Sequence, residues 1–285
     1  MSSILSRFTR VSLTNLSTQR SSSPSLHLHH VKWCHDESHY NHGIPGIPTN
    51  GKVVLLRNSM TGSQVYLVGV GNGTKDGAET VKKVINAVRP DAVALELCKQ
   101  RALLLGMWRN PEKEGLVRMF LRCMKSPGGL KTMIDTFFSV RRLQASLMRV
   151  SELKVAMEES QKVKAKLVLM DQDIDVLSKQ FGSISINQNI NYRRLNDMNH
   201  IDTLKKWFML RFFPEITPRS NMEGIRRWFY LIFPEHHRVI FIERDIFMFI
   251  KLRRLEEKVI VAVVGPGHMD GIELLWKYAE DVGDD

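Results

Sequence analysis

Short apolar runs closed by turn formers alternate along this chain with longer stretches of helical period, and that alternation predicts an α/β fold. Val53 to Leu56 and Val65 to Val70 read as two strands joined through Asn58 and Gly62, the pattern of a hairpin. Asp76 to Val88 places Ala78, Val81, Val84, Ile85 and Val88 on one helical face, and Arg89-Pro90-Asp91 ends that helix. Ala92 to Leu97 is almost continuously apolar, as a strand buried on both faces should be, and the strand-helix-strand order implies a parallel crossover. Lys166 to Met170 and Val259 to Val264 repeat the pattern as further core strands. Residues 99–163 read as several helices interrupted at Pro111 and at Ser126 to Gly129. Asn199 to Glu257 reads as mostly helical, broken at Pro214 and at Pro218 to Gly224. The expected architecture is a central mixed, largely parallel sheet with flanking helices and a large helical insertion, about residues 199–257, before the last core strand.

Residues 1–45 have a different character. Up to His35 they hold Arg7, Arg10, Arg20 and Lys32 without an acid, and they are rich in Ser and Thr. That is the composition of a mitochondrial transit peptide, and equally of a basic leader with no address. His27, His29, His30, His35, His39 and His42 make a tract able to capture metal adventitiously but with no fixed geometry. Gly43 to Gly51 reads as a linker, residues 52–280 as the folded domain, and residues 281–285 as an acidic tail that brings no apolar anchor. In a chain of 285 residues there are three cysteines and no C-x-x-C pair, which excludes a disulfide framework and a zinc ribbon. Arg, Lys, Asp or Gly interrupts every apolar run before the length of a spanning helix, about 18 residues.

Ligands of open α/β sheets bind beyond the carboxyl ends of the strands, so those ends carry the candidate chemistry. They present Gly69-Val70-Gly71-Asn72-Gly73-Thr74, Glu96, Asp171-Gln172-Asp173 and Gly265-Pro266-Gly267-His268. An imidazole and three carboxylates have the ligand types of a hard or borderline divalent cation. The bland alternative has Asp171 and Asp173 capping the next helix, Glu96 pairing with Arg101, and the glycines turning the chain.

Val65 to Arg101 resembles the opening of the TraB domain, the family of PrgY-type pheromone-shutdown proteins. Ser151 to Ser160 is similar to that family's G-x-E-F-x-x-A helix, Leu169 to Ile174 to its D-R-D strand end, and Phe233 to Asp245 to its E-R-D helix. Val261 to Glu273 resembles its closing G-x-G-H-x-x-G-I. The resemblance implies a fold shared with Tiki-type and erythromycin-esterase-like proteins. It also implies a metal-dependent hydrolase site made of two G-x-x-H motifs and a glutamate. By position, His268 closes the second motif, Glu96 is the glutamate, and Glu243 and Arg244 belong to E-R-D without an assigned role. Asn72 stands where the first motif has its histidine, and Gln172 where D-R-D has its arginine. A carboxamide is a poor replacement for imidazole on a zinc-like ion. The expected ligands of a divalent metal cofactor are therefore His268 and Glu96, with Asn72, Asp171 and Asp173 weaker.

The leader, the basic aromatic helices and the missing first-motif histidine thus point to a mitochondrion-associated protein with an organisational or regulatory role and a degenerate site, to which the resemblance adds a link with the outer membrane. The alternative is an active metal-dependent hydrolase or peptidase using Glu96 and His268. A net charge of +11 and a pI near 9.7 favour anionic counterparts. Lys205 to Phe212 and Arg226 to Phe233 repeat a plan of two basics, Trp-Phe, Leu and Phe, which suits either a membrane interface or a pair of core-packed helices. Leu116 to Val150 adds seven basic residues against Asp135 alone. An anionic membrane surface or an acidic protein partner is the expected counterpart; without a recognisable nucleic-acid-binding motif, nucleic acid is disfavoured.

Overall fold

A computed structural model describes residues 41–71, 75–102, 150–184, 202–203, 205–206 and 219–282. Strand β1 (Val53–Arg57) and strand β2 (Gln64–Gly69) form the expected antiparallel hairpin, with Val53 opposite Val68. Its turn is set by Asn58, whose side-chain oxygen accepts from the Met60 amide at 3.1 Å, and by Gly62 at φ 69°. Helix α1 (Lys75–Val88) leads to strand β3 (Ala92–Leu95), with Arg89 at φ 47° ending the helix. Helix α2 (Val150–Lys162) precedes strand β4 (Lys166–Leu169). Helix α3 (Ile174–Ser183) follows, then α4 (Ser220–Ile232) and the short α5 (Pro234–His237). A π-turn over Arg238–Ile242 continues into α6 (Glu243–Arg253), strand β5 (Val259–Val264) and helix α7 (Pro266–Val282).

The strand order is β1-β2-β5-β3-β4, with every pairing parallel except the hairpin. The fold is therefore the mixed, mostly parallel α/β sheet that the pattern predicts. The last strand enters the middle of the sheet, between β2 and β3. That placement buries β5 on both faces, which is why Val259 to Val264 is unbroken by any polar residue.

Alternate residues of each strand enter opposite layers. Val53, Val68, Val93, Leu95, Val261 and Val263 pack under Val81, Val84 and Ile85 of α1 and Leu153 and Ala156 of α2. Leu67, Ala94, Ile260 and Ala262 pack under Met248 and Leu252 of α6 and Ile272 and Trp276 of α7. Each fully buried Val, Leu or Ile adds about 1.5–3 kcal/mol relative to exposure, so these two layers fix the sheet that carries the site.

Two local readings change. The turn-rich segment before Lys52 is packed onto the domain, because Ile44 and Ile47 join the core layer under α1. The break expected over Pro218 to Gly224 ends earlier, since α4 already begins at Ser220. Gly224 lies inside that helix, where a Cβ would sit 3.2 Å from the Lys206 side chain, so it serves close approach and not a turn. The chain breaks instead at Phe233, where Pro234 starts the next helix.

Candidate functional site

The carboxyl ends of β3, β4 and β5 lie side by side and carry Glu96, Asp171 and the Gly265 to His268 turn. Glu96, Asp171 and His268 are all buried, at 2%, 3% and 3% exposure. Helix α6 inserts Arg244 among them. Its Nε donates to Asp171 Oδ1 at 2.9 Å and its Nη2 to Asp171 Oδ2 at 2.8 Å, a two-pronged pairing. The same Nη2 donates to Glu96 Oε1 at 2.6 Å, and Nη1 lies 3.0 Å from His268 Nε2. Burial pulls the Arg244 pKa down, but the charges and hydrogen bonds of Glu96 and Asp171 outweigh it and hold the group well above its usual range.

A guanidinium only donates, so His268 Nε2 accepts from Arg244 and its Nδ1–H donates to Asp245 Oδ1, 2.6 Å away. Asp245 is held in turn by Arg226 Nη2 at 2.9 Å, while Arg226 Nη1 donates to the Gly267 carbonyl at 2.5 Å. Asp171 also accepts from Arg101 at 2.9 Å and from the Gln172 amide at 2.8 Å. The far oxygen of Glu96 accepts from the Gly265 amide at 2.5 Å. A chain of alternating charges thus runs from α4 through α6 to the strand ends.

The glycines of the closing motif make room for this chain. A Cβ on Gly271 would overlap the Asp245 carboxylate, and one on Gly267 would stand 3.0 Å from the Phe241 ring. His237, buried beside that ring, sits at a centroid distance of 5.2 Å from Phe241. Burial and the Arg226 charge push its pKa down to about 4, against the opposing pull of Asp245.

The structure brings Glu96, Asp171, Arg244 and His268 together. Asp173 is exposed at the entry to α3, where its backbone carbonyl accepts from Val176 and Leu177, and no described contact joins it to Arg244. Glu243 turns the other way, accepting from Gln180 Nε2 at 2.7 Å and from Arg238. Asn72 lies outside the described residues. Arg101 pairs with Asp171, not with Glu96 as the bland reading had it. Sequence reasoning missed Asp245 and Arg226, and also Glu152, which lines a small recess with Glu96 and Arg101. Asp245 closes the E-R-D tripeptide, the one signal that pointed to it.

A divalent metal does not fit this arrangement as it stands. Among the described residues no three His, Cys, Asp or Glu side chains are grouped to hold one ion, and the point facing Glu96, Asp171 and His268 is filled by the Arg244 guanidinium.

Of the basic-aromatic strips, residues 207–212 lie outside the described set, as do the leader to residue 40 and the basic stretch up to residue 149. In the second strip Arg226 points inward to Asp245, and Phe229 packs on Phe233 and Phe241 with centroids 5.4 and 6.1 Å apart. Arg227 and Tyr230 are exposed. Among the described residues no helix is long and apolar enough to cross a membrane.

Sheet order and strand-end cluster together define an α/β domain with an ionic centre at its parallel strand ends. No protein-family model matches the chain. An uncharacterised protein of Methanocaldococcus jannaschii is 28% identical over 250 residues, covering 81% of this chain and 59% of its own length. TraB domain-containing proteins of Mus musculus and Homo sapiens are each 28% identical, over 250 and 247 residues, covering 75% of this chain and 63% of theirs. The chain is thus similar to TraB domain-containing proteins over about three quarters of its length. It spans about three fifths of the length of these relatives.

Proposed function

We propose that this chain is a mitochondrion-associated TraB-domain protein with an organisational or regulatory role, and that its metal-hydrolase-like centre is degenerate. The observation that carries the second part is Arg244, which spends Glu96, Asp171 and the Nε2 of His268 on a guanidinium. A hydrolytic metal site keeps an open position for water, and here a fixed organic cation fills the place where water and ion would meet. Mitochondrial association is supported by the acid-free, Arg- and Ser-bearing composition of residues 1–35. The charge of +11 favours an anionic membrane surface or an acidic protein as counterpart.

Metal analysis of the purified full chain beside His268→Ala tests the centre, because the difference cancels any ion held by the His-rich leader. The reading predicts equal metal content in both. One equivalent lost with His268 would replace this reading by the active hydrolase that uses Glu96 and His268. A fluorescent fusion of residues 1–50 is expected at mitochondria, and a cytosolic signal would remove the targeting role.

A further inference from the structure

We propose that the outer face of helix α7 is a self-association surface whose occupant is a second copy of this chain, docked antiparallel about a two-fold axis at Tyr278. The surface is separate from the strand-end centre and independent of whether that centre is closed.

Among the described residues seven large apolar side chains are more than a third exposed, and three of them fall on α7 at four-residue spacing: Leu274 at 46%, Tyr278 at 50% and Val282 at 51%. A single exposed Leu or Tyr is ordinary surface, but positions i, i+4 and i+8 of one helix stack into a continuous strip about 12 Å long. The helix beneath the strip is firmly held. Ile272, Leu275, Trp276 and Ala279 on its inner side join the core layer of Val54, Leu56 and Leu67. Trp276 Nε1 donates to the Arg57 carbonyl at 2.9 Å, and the Ser59 amide to Glu280 Oε2 at 3.0 Å. Those contacts tie α7 to the hairpin at the β1 edge of the sheet, so the strip is presented already ordered and docking costs little entropy.

The pattern is complementary to itself. Leu274 and Val282 stand four residues to either side of Tyr278, so an antiparallel copy centred there sets Leu274 of one helix against Val282 of the other and brings the two Tyr278 rings together. Lys277 and Asp281 share one flank of the strip. Lys277, 3.0 Å from Glu273, is still 47% exposed, and Asp281 is exposed. Reversing the helix brings Lys277 of one copy beside Asp281 of the other, and the two-fold axis makes that pair twice. An anionic bilayer fits the strip poorly, because Asp281 stands next to Val282. The strip is also small. Contacts below about 1,200 Å2 in total are weak, so a reversible dimer with a dissociation constant of about 10–100 μM is expected.

Sedimentation velocity of the full chain over about 1–300 μM tests this, with EDTA present so that the His-rich leader does not bridge copies through metal. The unaltered chain is expected to pass from monomer to dimer across that range. Tyr278→Glu should weaken the dimer at least about tenfold, and Tyr278→Ser, read in the same way, serves if the first variant does not fold. Lys277→Glu and Asp281→Lys should each weaken it, and Lys277→Glu/Asp281→Lys should recover it. Lys277→Glu also faces Glu273 within its own helix, and the double variant keeps that repulsion, so recovery reports the pair between copies. A chain that stays monomeric throughout, or a dimer that Tyr278→Glu and Tyr278→Ser leave unchanged, would overturn the inference. A double variant no tighter than the single ones would overturn the antiparallel pairing.

Discussion

Asp171→Asn is the sharpest probe of how this centre is held. The Asp171 side chain is fully buried and serves two guanidiniums at once, Arg244 through two hydrogen bonds and Arg101 through a third. Those arginine side chains are only 12% and 11% exposed, so water cannot replace the lost charge. The substitution keeps the volume, removes the charge and turns an amide N–H2 toward groups that only donate. Leaving one buried charge unpaired costs about 3–5 kcal/mol; Arg101 loses Asp171 while Arg244 keeps Glu96, so the lower half of that range is expected. Domains of this kind hold about 5–15 kcal/mol in all, so much of the margin is at stake. Urea unfolding followed by circular dichroism should show the midpoint fall by about 1–2 M. Lys83→Ala serves as the control, because Lys83 and Glu79 are 3.9 Å apart and more than half exposed, and its loss should cost at most about 0.5 kcal/mol. If Asp171→Asn stayed within about 1 kcal/mol of the parent, Asp171 would not be the joint between the two arginines and the reasoning would fail.

Three further outcomes follow from the same contacts. His237 titrates near 4 in the folded chain against about 6.5 unfolded, so the unfolded state takes up its proton first and stability falls as pH drops through that window; His237→Phe should remove up to about 2 kcal/mol of that loss and change little above pH 7, measured as the difference between the two proteins' urea curves at each pH. Gly271→Ala should displace the Asp245 carboxylate and cost about 1–3 kcal/mol in the same assay, and a neutral effect would show that Asp245 is not confined by α7. Arg219 donates to Asp270 at 2.5 Å and to Glu273 at 2.8 Å in the interior. Arg219→Ala should cost about 3 kcal/mol at neutral pH, and the loss should shrink on acidification as Glu273, whose pKa this arginine holds down against burial, becomes protonated.

The sheet was readable because each of its core strands is an apolar run bounded by turn formers. Val259 to Val264 announces a strand buried on both faces, and the structure puts it at the centre of the sheet. The gathering of Glu96, Asp171 and His268 was readable from topology, since parallel strands present their carboxyl ends at one edge. What joins them was not readable. Arg244 and Glu243 are neighbours on α6, set about 100° apart around the helix axis, so one enters the centre while the other reaches Gln180, and which of them faces inward depends on how α6 packs against the sheet. Arg226 was hidden for a related reason. Its basic-aromatic strip suits a membrane face or a packed face equally well, and the inward turn toward Asp245 depends on where α4 lands against α6 and α7. The turn-rich segment before Lys52 misled in the opposite sense, because Ile44 and Ile47 are too widely spaced among glycines and prolines to show a period, yet both are buried.

A crystal structure grown from Zn2+-containing solution, with anomalous data at the zinc edge, tests the closed centre most directly. The account predicts the Arg244 guanidinium between Glu96 and Asp171, with no anomalous peak in bonding range of His268 Nε2. A zinc peak there, with Arg244 swung clear, would contradict it.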